Sequence, residues 1–467
     1  MTNRSIRTLS FLFVLFFAVL ALRQLYVQLI AAPTIAARSN NPRHVLLDAF
    51  RGRILASDGT ILAHTVGSQR LYPLGPAAAQ VVGYLSSRYG QSGVEAAYDG
   101  ALTPPDSSGD TVAQIASLAA ALQGSARAAQ GADVVTTIQP AVQNQLFALL
   151  SRYPRAAGVV LDPRDGAVLA LASVPSYDPN EFDSEFPSLR EDPESPLLDR
   201  ATDGLYPPGS TFKLFTAAAA LDSGTVSMDS HFDDPGYLAI GNFLLHDNES
   251  EATGYQDLTN AFALSSNVDF AQIALRLGTP TFYRYLDRWG IGAPLDFDLP
   301  VQTDRVPAQD SIVPGELAQM GFGQGALLMT PLRMALLAAT IANAGLESRP
   351  YIVRRVVRNG ITASSASAAM LANPVSAETA AKVTTMMVAV VQRGTGTPAQ
   401  LPNVTVAGKT GTATNPRGRS HSWFVCFAPA QSPRVVVAVV VENVGYGATY
   451  AAPIARAVLA GALETVH

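Results

Sequence analysis

The sequence predicts a mixed α/β (α+β) chain with a small irregular N-terminal pedestal and a membrane anchor. Three observations support this. Hairpin-like β runs occur at both ends of the segment from Val134 onward, with helical spacing between them. Breakers and short runs dominate residues 33–133. An apolar run occupies the first thirty residues. A length of 467 residues favours two or three domains.

Arg4 and Arg7 precede an uncharged stretch from Leu9 to Leu22. Arg23 and Gln24 interrupt it, and Leu25 to Ala32 is again mostly apolar. As a helix, residues 8–31 would reach about 36 Å, enough to span a bilayer with some tilt, with Arg23 snorkelling to the interface. The basic end, residues 1–7, is expected to stay cytoplasmic and everything after the helix to lie outside. The competing reading is a cleaved signal peptide. The apolar continuation past Arg23 and the lack of a clean Ala-x-Ala site favour an uncleaved single-pass anchor in the cell membrane. Either way the body is extracytoplasmic.

Residues 32–133 read as a pedestal. Val45–Leu47 and Ile61–Ala63 are short β-like runs near Arg51-Gly52-Arg53 and the turn dipeptide Asp58-Gly59. An Ala-rich stretch, Thr111–Gln130, reads as helix plus linker. From residue 134 to 467 the texture changes to a second domain. Gln139–Tyr153 has helical spacing. Ala157–Asp162 and Ala167–Ser173 flank the turn Pro163-Arg-Asp-Gly166 as a hairpin. Val404–Ala407, Ser422–Phe427 and Val435–Glu442 read as strands, and Tyr450–Leu463 as an apolar helix. The sheet is therefore expected to be assembled from both ends of this segment. Thr362–Ala372, rich in Ser and Ala, reads as a surface excursion.

Composition excludes several classes. A net charge of −5 without a basic run beyond the N-terminus argues against nucleic-acid binding. A single cysteine, Cys426, excludes an internal disulfide and a thiolate cluster, and six scattered histidines show no metal spacing. No metal or cofactor is expected. Lysine is nearly absent: of 32 basic residues only Lys213, Lys382 and Lys409 are lysine. Arginine keeps its proton in proteins, whereas a crowded or buried ammonium can lose one. Lysines retained at chosen points therefore suggest chemistry with a releasable proton. Lys382, in an Ala-rich segment, is the bland control.

Ser210 follows the stiff turn Tyr206-Pro-Pro-Gly209 and opens a strongly helical stretch to Leu221. A helix N-terminus favours developing negative charge, and Lys213 shares a face with Ser210. Such a lysine activates a serine only if its pKa falls, and a second cation is one way to lower it; Lys409 is the candidate. Ser210 could equally be a simple N-cap. Ser265-Ser266-Asn267 offers a hydroxyl to relay a proton and an amide to hold a carbonyl, though such a tripeptide is usually a turn. Lys409-Thr410-Gly411-Thr412 follows a strand-like run. Gly411 would let a substrate backbone approach an edge strand, and Thr410, Thr412 and Lys409 suit a carboxylate. The Ser210 and Thr412 amides are candidate oxyanion donors. The bland alternative is a strand end with a glycine bulge. Trp423 and Phe424 on a neighbouring strand, and Cys426, read mainly as core; Gln324 reads as a turn or a floor to the site. Nothing in the spacing of Glu316 or Asp269 makes either a hydrolytic base.

Together, Ser-x-x-Lys, Ser-x-Asn and Lys-Thr-Gly in this order form the signature of the penicillin-interacting serine enzymes. Tyr206–Lys213, Pro175-Ser-Tyr-Asp-Pro-Asn180, Gly321-Phe-Gly-Gln-Gly325, Gly394-Thr-Gly-Thr397 and His421-Ser-Trp-Phe424 extend the match, so that the chain from about Val135 onward resembles class B penicillin-binding proteins. Arg51-Gly52-x-Ile54 and Gly90-x-x-Gly93-Val94-Glu95 are also similar to that class. Ala56 and Ser57 stand where an Asp-Arg pair is usual, and the short pedestal resembles the compact actinobacterial-type branch.

The resemblance implies the serine penicillin-recognising transpeptidase fold, with an antiparallel sheet flanked by helices plus an all-helical subdomain. It implies a peptidoglycan D,D-transpeptidase in which Lys213 deprotonates Ser210, Ser265 returns a proton to the departing D-Ala, Asn267 and Lys409 complete the catalytic set, and Thr410, Gly411 and Thr412 bind substrate. Implied partners are stem peptides, β-lactams, the membrane, a membrane-embedded glycan polymerase and other wall-synthesis proteins. Elongation, division and sporulation all remain open as cellular roles. Rival readings are a D,D-carboxypeptidase or serine β-lactamase on the same residues, and a non-enzymatic β-lactam sensor or scaffold.

Overall fold

The computed structural model describes residues 2–26, 50–104, 130–241, 243–247, 252–415 and 418–466. Helix α1 (Thr2–Tyr26) opens the chain. Residues 27–31 of the expected 8–31 anchor lie outside the described residues, and among those described no helix is long and apolar enough to cross a membrane. The reason is visible in the sequence: between Arg7 and Arg23 the uncharged stretch is short of the ~20 residues that a span needs. The run Val45–Leu47 and the Ala-rich stretch up to residue 129 also lie outside the described residues.

The pedestal begins with β1 (Ile54–Leu55), β2 (Ile61–Val66) and β3 (Gln69–Leu71) and continues with β4 (Asp133–Thr136). Asp58-Gly59 turns β1 into β2, with Gly59 at φ +89° and the Thr60 N–H donating to Asp58 Oδ1 at 2.9 Å. Beneath the sheet, buried Glu95 accepts from Arg51 Nε and from Arg70 Nε, each at 2.7 Å, while Arg51 Nη1 donates to Asp99 at 2.6 Å.

Helix α2 (Pro140–Leu150) starts on a proline, which suits a first turn. It leads into the hairpin of β5 (Ala156–Leu161) and β6 (Val168–Val174). The helices that follow include α3 (Lys213–Asp222), α4 (Leu258–Leu264), α5 (Asn267–Arg288) and α6 (Pro331–Ala342). Helix α5 is interrupted at Gly278, whose φ of +70° precedes Pro280. Strands β7 (Val353–Arg358) and β8 (Ile361–Ser365) then return to the pedestal, giving a six-stranded sheet in the order β8-β7-β4-β1-β2-β3. The Ser/Ala-rich stretch from Thr362 is exposed as expected, but its first residues form the edge strand β8.

Helix α7 (Ala377–Arg393), strands β9 (Ala407–Ala413), β10 (His421–Ala428) and β11 (Val435–Val441), and helix α8 (Ala451–Thr465) complete the chain. The catalytic-domain sheet runs β9-β10-β11-β5-β6, antiparallel throughout. Both ends of the segment therefore build one sheet, with β9 at its edge. The strand expected over Val404–Ala407 begins only at Ala407. Alternate side chains feed two cores. Val160, Val437 and Val439 pack with Val142, Leu146 and Leu459 of α2 and α8. Val159, Val436 and Val440 face α3 and α6 through residues such as Leu214, Ala218 and Leu336. Full burial of each Val or Leu contributes about 1.5–3 kcal/mol, which makes this sheet a rigid mount for its edge strand.

Candidate active site

Ser210 lies in a single 3-10 turn, Gly209–Phe212, that leads into α3, so it sits just ahead of the α-helix rather than on its first turn. Two glycines make this turn possible. Gly209 has φ +56°, and a Cβ there would come within 2.9 Å of the Thr412 carbonyl oxygen. Gly323, at φ +78°, accepts the Gly209 N–H at 2.8 Å, and a Cβ on it would lie 2.1 Å from Gly209 O. The Gly321–Gly325 motif is thus the backing of the serine turn. Trp423 Nε1 donates to Pro207 O at 3.1 Å, and Tyr206 donates its hydroxyl to Glu442 at 2.8 Å, fixing the same turn from the sheet side.

Ser265 is the left-handed C-cap of α4 (φ +68°), and Ser266 is the N-cap of α5, accepting from the Asp269 N–H. The left-handed conformation is unfavourable for serine, and here it turns the Ser265 carbonyl towards the Lys213 ammonium, which donates to it. Lys213 Nζ also lies 3.2 Å from Ser265 Oγ and 2.8 Å from Asn267 Oδ1. From the other side Lys409 Nζ donates to Ser265 Oγ at 2.8 Å and to Thr410 O at 3.2 Å. Ser265 therefore bridges two lysines that are both fully buried. Phe270 and Phe262 lie 5.5 and 5.6 Å from the two ammonium nitrogens.

This burial decides the chemistry of the pair. Burial lowers the Lys213 pKa to about 7, with aspartates of the next layer partly opposing the shift. Lys409 falls well below its ordinary value, through burial first and the neighbouring Lys213 second. Neither lysine contacts a carboxylate among the described residues. Ser210 makes no side-chain hydrogen bond among the described residues, including none to Lys213.

Ser210, Ser265, Thr410 and Thr412 line one cleft of about 350 Å³. Thr410 Oγ1 is 2.5 Å from Thr395 Oγ1, which brings in the Gly394–Thr397 motif, and Thr412 Oγ1 accepts the Gly447 N–H at 3.4 Å. Gly411 is closely packed on one side. A Cβ there would meet Thr211 Cγ2 and Trp423 Cβ at 2.9 Å and Pro208 O at 3.1 Å, so the missing side chain admits the serine turn. Gln324 sits beside the strand, with Nε2 3.4 Å from Thr412 O.

Sequence reasoning missed several contributors. Tyr446–Thr449 forms a wall of the cleft, and a Cβ on Gly447 would come within 2.5 Å of Gly411 O; its Gly-Tyr-Gly spacing is the one available signal. Asp247 also lines the cleft, from a loop without a recognisable pattern. Pro175–Asn180 does not reach the site. Asn180 pairs with the Tyr72 backbone, accepting at 2.9 Å and donating at 3.1 Å, so this motif clamps the pedestal. Lys382, half-buried, pairs with exposed Glu378 at 2.7 Å, and Cys426 is buried, its thiol pKa pushed up by burial.

Residues 156–460 match the penicillin binding protein transpeptidase domain, and residues 51–134 the penicillin binding protein A dimerisation domain. The chain belongs to the class B penicillin-binding proteins. It is similar to the peptidoglycan D,D-transpeptidase PbpA of Mycolicibacterium smegmatis, with 34% identity covering 99% of each chain. Among solved structures it is similar to penicillin-binding protein A from M. tuberculosis as its ceftriaxone acyl-enzyme complex: TM-score 0.80, 33% identity, 89% of this chain and 100% of that one. It is likewise similar to a D,D-transpeptidase domain from Eggerthella lenta, with TM-score 0.80 and 35% identity over 89% of this chain and 98% of that one.

Proposed function

We propose that this protein cross-links peptidoglycan stem peptides through an acyl-enzyme on Ser210. The observation that supports it is the relay in which Ser265 Oγ is hydrogen-bonded to both Lys213 and Lys409 at the cleft that Ser210 lines. Lys213, neutral in an appreciable fraction near pH 7, accepts the Ser210 proton as Oγ attacks the carbonyl of the penultimate D-Ala. The oxyanion sits between the Ser210 and Thr412 amides. The C–N bond then breaks, and the terminal D-Ala leaves with a proton delivered by Ser265, which Lys213 and Lys409 replenish. Asn267 holds the donor peptide, and Thr410 and Thr412 receive its carboxylate beside Lys409. An amine of a neighbouring stem peptide attacks the ester, forms the cross-link and frees Ser210. β-Lactams acylate the same hydroxyl, as the acyl-enzyme complexes of the M. tuberculosis relative indicate for that protein.

Helix α1 serves as the membrane anchor in this reading. Its side chains from Phe11 to Leu22 are apolar and exposed, Arg4 and Arg7 precede them, and the apolar sequence resumes after Gln24. Pedestal residues 32–133 then carry the catalytic domain, 134–467, outside the membrane, within reach of a membrane-embedded glycan polymerase.

The test is covalent labelling of the purified full chain with fluorescent penicillin, with Ser210→Ala as control. The expected result is a stable adduct on the wild type alone. A wild type that never labels ends the catalytic reading, and rapid loss of the label moves the case to a hydrolase.

A further inference from the structure

Glu442 directly follows β11 and takes no part in the mechanism above, yet three groups converge on its carboxylate. Its Oε1 accepts from the Tyr206 hydroxyl at 2.8 Å and from Arg200 Nε at 3.0 Å, and its Oε2 lies 3.2 Å from Arg155 Nε. Tyr206 and Arg200 are buried, and the Glu442 side chain is only 12% exposed. A carboxylate that served the arginines alone would need nothing particular at Tyr206, but the packing there is arranged around the tyrosine. Gly204 lacks a Cβ that would lie 2.5 Å from Tyr206 Cε2 and 2.6 Å from its hydroxyl oxygen. The His421 and Trp423 rings of β10 meet the tyrosine edge-on, with centroids at 5.5 and 6.0 Å. Its backbone pairs with Met329, donating at 3.0 Å and accepting at 2.8 Å. Burial and Glu442 together hold the hydroxyl pKa well above its ordinary value, so the group stays a donor.

Only Pro207, Pro208 and Gly209 stand between Tyr206 and Ser210. Each proline fixes φ at about −65°. Trp423 Nε1 holds the Pro207 carbonyl, and the Gly323 carbonyl holds the Gly209 N–H. A displacement of Tyr206 is therefore passed on to Ser210 rather than absorbed on the way. Ser210 Oγ has no hydrogen bond of its own among the described residues, so its place follows from the backbone of the turn. We propose that Glu442 is a positioning residue for acylation: its carboxylate, acting through the Tyr206 hydroxyl, sets the turn that aims Ser210 at the substrate carbonyl. The inference rests on Ser210 being the nucleophile.

Stopped-flow acylation of the full-length protein by a β-lactam separates the first-order acylation constant from the dissociation constant of the encounter complex before it. Tyr206→Phe removes the hydroxyl and keeps the ring. It should lower the acylation constant about tenfold, part of the ~100-fold that a misplacement of about 1 Å costs. The encounter constant and the midpoint of the pH profile should not move, because the threonines of β9 and the lysine base are untouched. Glu442→Leu should lower the acylation constant by the same factor, and adding it to Tyr206→Phe should lower it no further. Glu442→Gln still offers Tyr206 an oxygen and should keep most of the rate. If Glu442→Leu does not fold, Tyr206→Phe and Glu442→Gln carry the test. A folded Tyr206→Phe enzyme that acylates at the wild-type rate overturns the proposal. So does a double variant slower than either single one, or a Glu442→Gln enzyme as slow as Tyr206→Phe, since the arginines would then be what Glu442 serves. A wild type that never acylates ends the reading of Ser210 as nucleophile, and the inference falls with it.

Discussion

Arg51 and Arg70 in the pedestal and Lys213 and Lys409 in the cleft are all buried cations, yet their partners differ. The two arginines share Glu95, each at 2.7 Å, and Arg51 reaches Asp99 as well. The two lysines share a serine hydroxyl and contact no carboxylate among the described residues. Burial works to lower the Arg51 pKa, but Glu95 and Asp99 more than offset it, so its proton is held more tightly than usual. At Lys213 and Lys409 burial wins and the protons are loosened. One molecule thus uses guanidinium–carboxylate contact where charge must stay and ammonium without such contact where it must leave.

The strongest way to break this comparison is to exchange the cation. Lys213→Arg should lower the rate of β-lactam acylation by about three orders of magnitude, the scale of a lost general base, and Lys409→Arg should also abolish efficient acylation. Stopped-flow acylation, with circular dichroism to confirm folding, measures both; a Lys213→Arg enzyme that acylates normally removes the argument from proton release. On the pedestal side, Glu95→Gln leaves two buried guanidinium groups without their shared carboxylate. Breaking a buried pair costs about 3–5 kcal/mol, so denaturant unfolding should show a large loss while Ser210 in the folded fraction acylates at the wild-type rate.

A milder test uses pH. Acylation should rise through about pH 7 as Lys213 becomes neutral. Unfolding releases the lysine to its ordinary value near 10.4, so between about 7 and 10 the unfolded chain binds more protons than the native one. Stability should therefore increase with pH across that window. The guanidinium cluster contributes no such slope there, and Lys213→Met should reduce the one from the cleft, leaving the share of Lys409. The smallest effect is expected at Lys382, half-buried and paired one helical turn from Glu378. Lys382→Arg should leave acylation and melting temperature unchanged, and a measurable fall in either would mean that scarcity of lysine is no guide to function.

Several features were legible because local chemistry decides them. Pro163-Arg-Asp-Gly166 demanded a turn between two β runs, and Gly166 adopts the left-handed backbone that such a turn requires, at φ +84°. The valine-rich runs near the C-terminus could only be strands, and the three motifs named the residues that the structure brings to one cleft. At Gly411 the absent side chain says that something is close, but not what: Thr211, Trp423 and the Pro208 carbonyl crowd that side, and two of them come from some two hundred residues earlier. The partner of the Pro175–Asn180 motif was equally hidden, since its asparagine answers to the Tyr72 backbone. Strands β7 and β8 join the pedestal sheet from beyond residue 350, a pairing that no periodicity records.

The sequence by itself determined the family and singled out Ser210, Lys213 and Lys409 as the candidate catalytic residues, because these depend on residue type and short spacing. Only the tertiary structure decided that both ammonium groups are stripped of water and that Ser265 stands between them. Those depend on which distant segments pack together, and a pKa is set by the whole of that surrounding volume rather than by its neighbours in the chain.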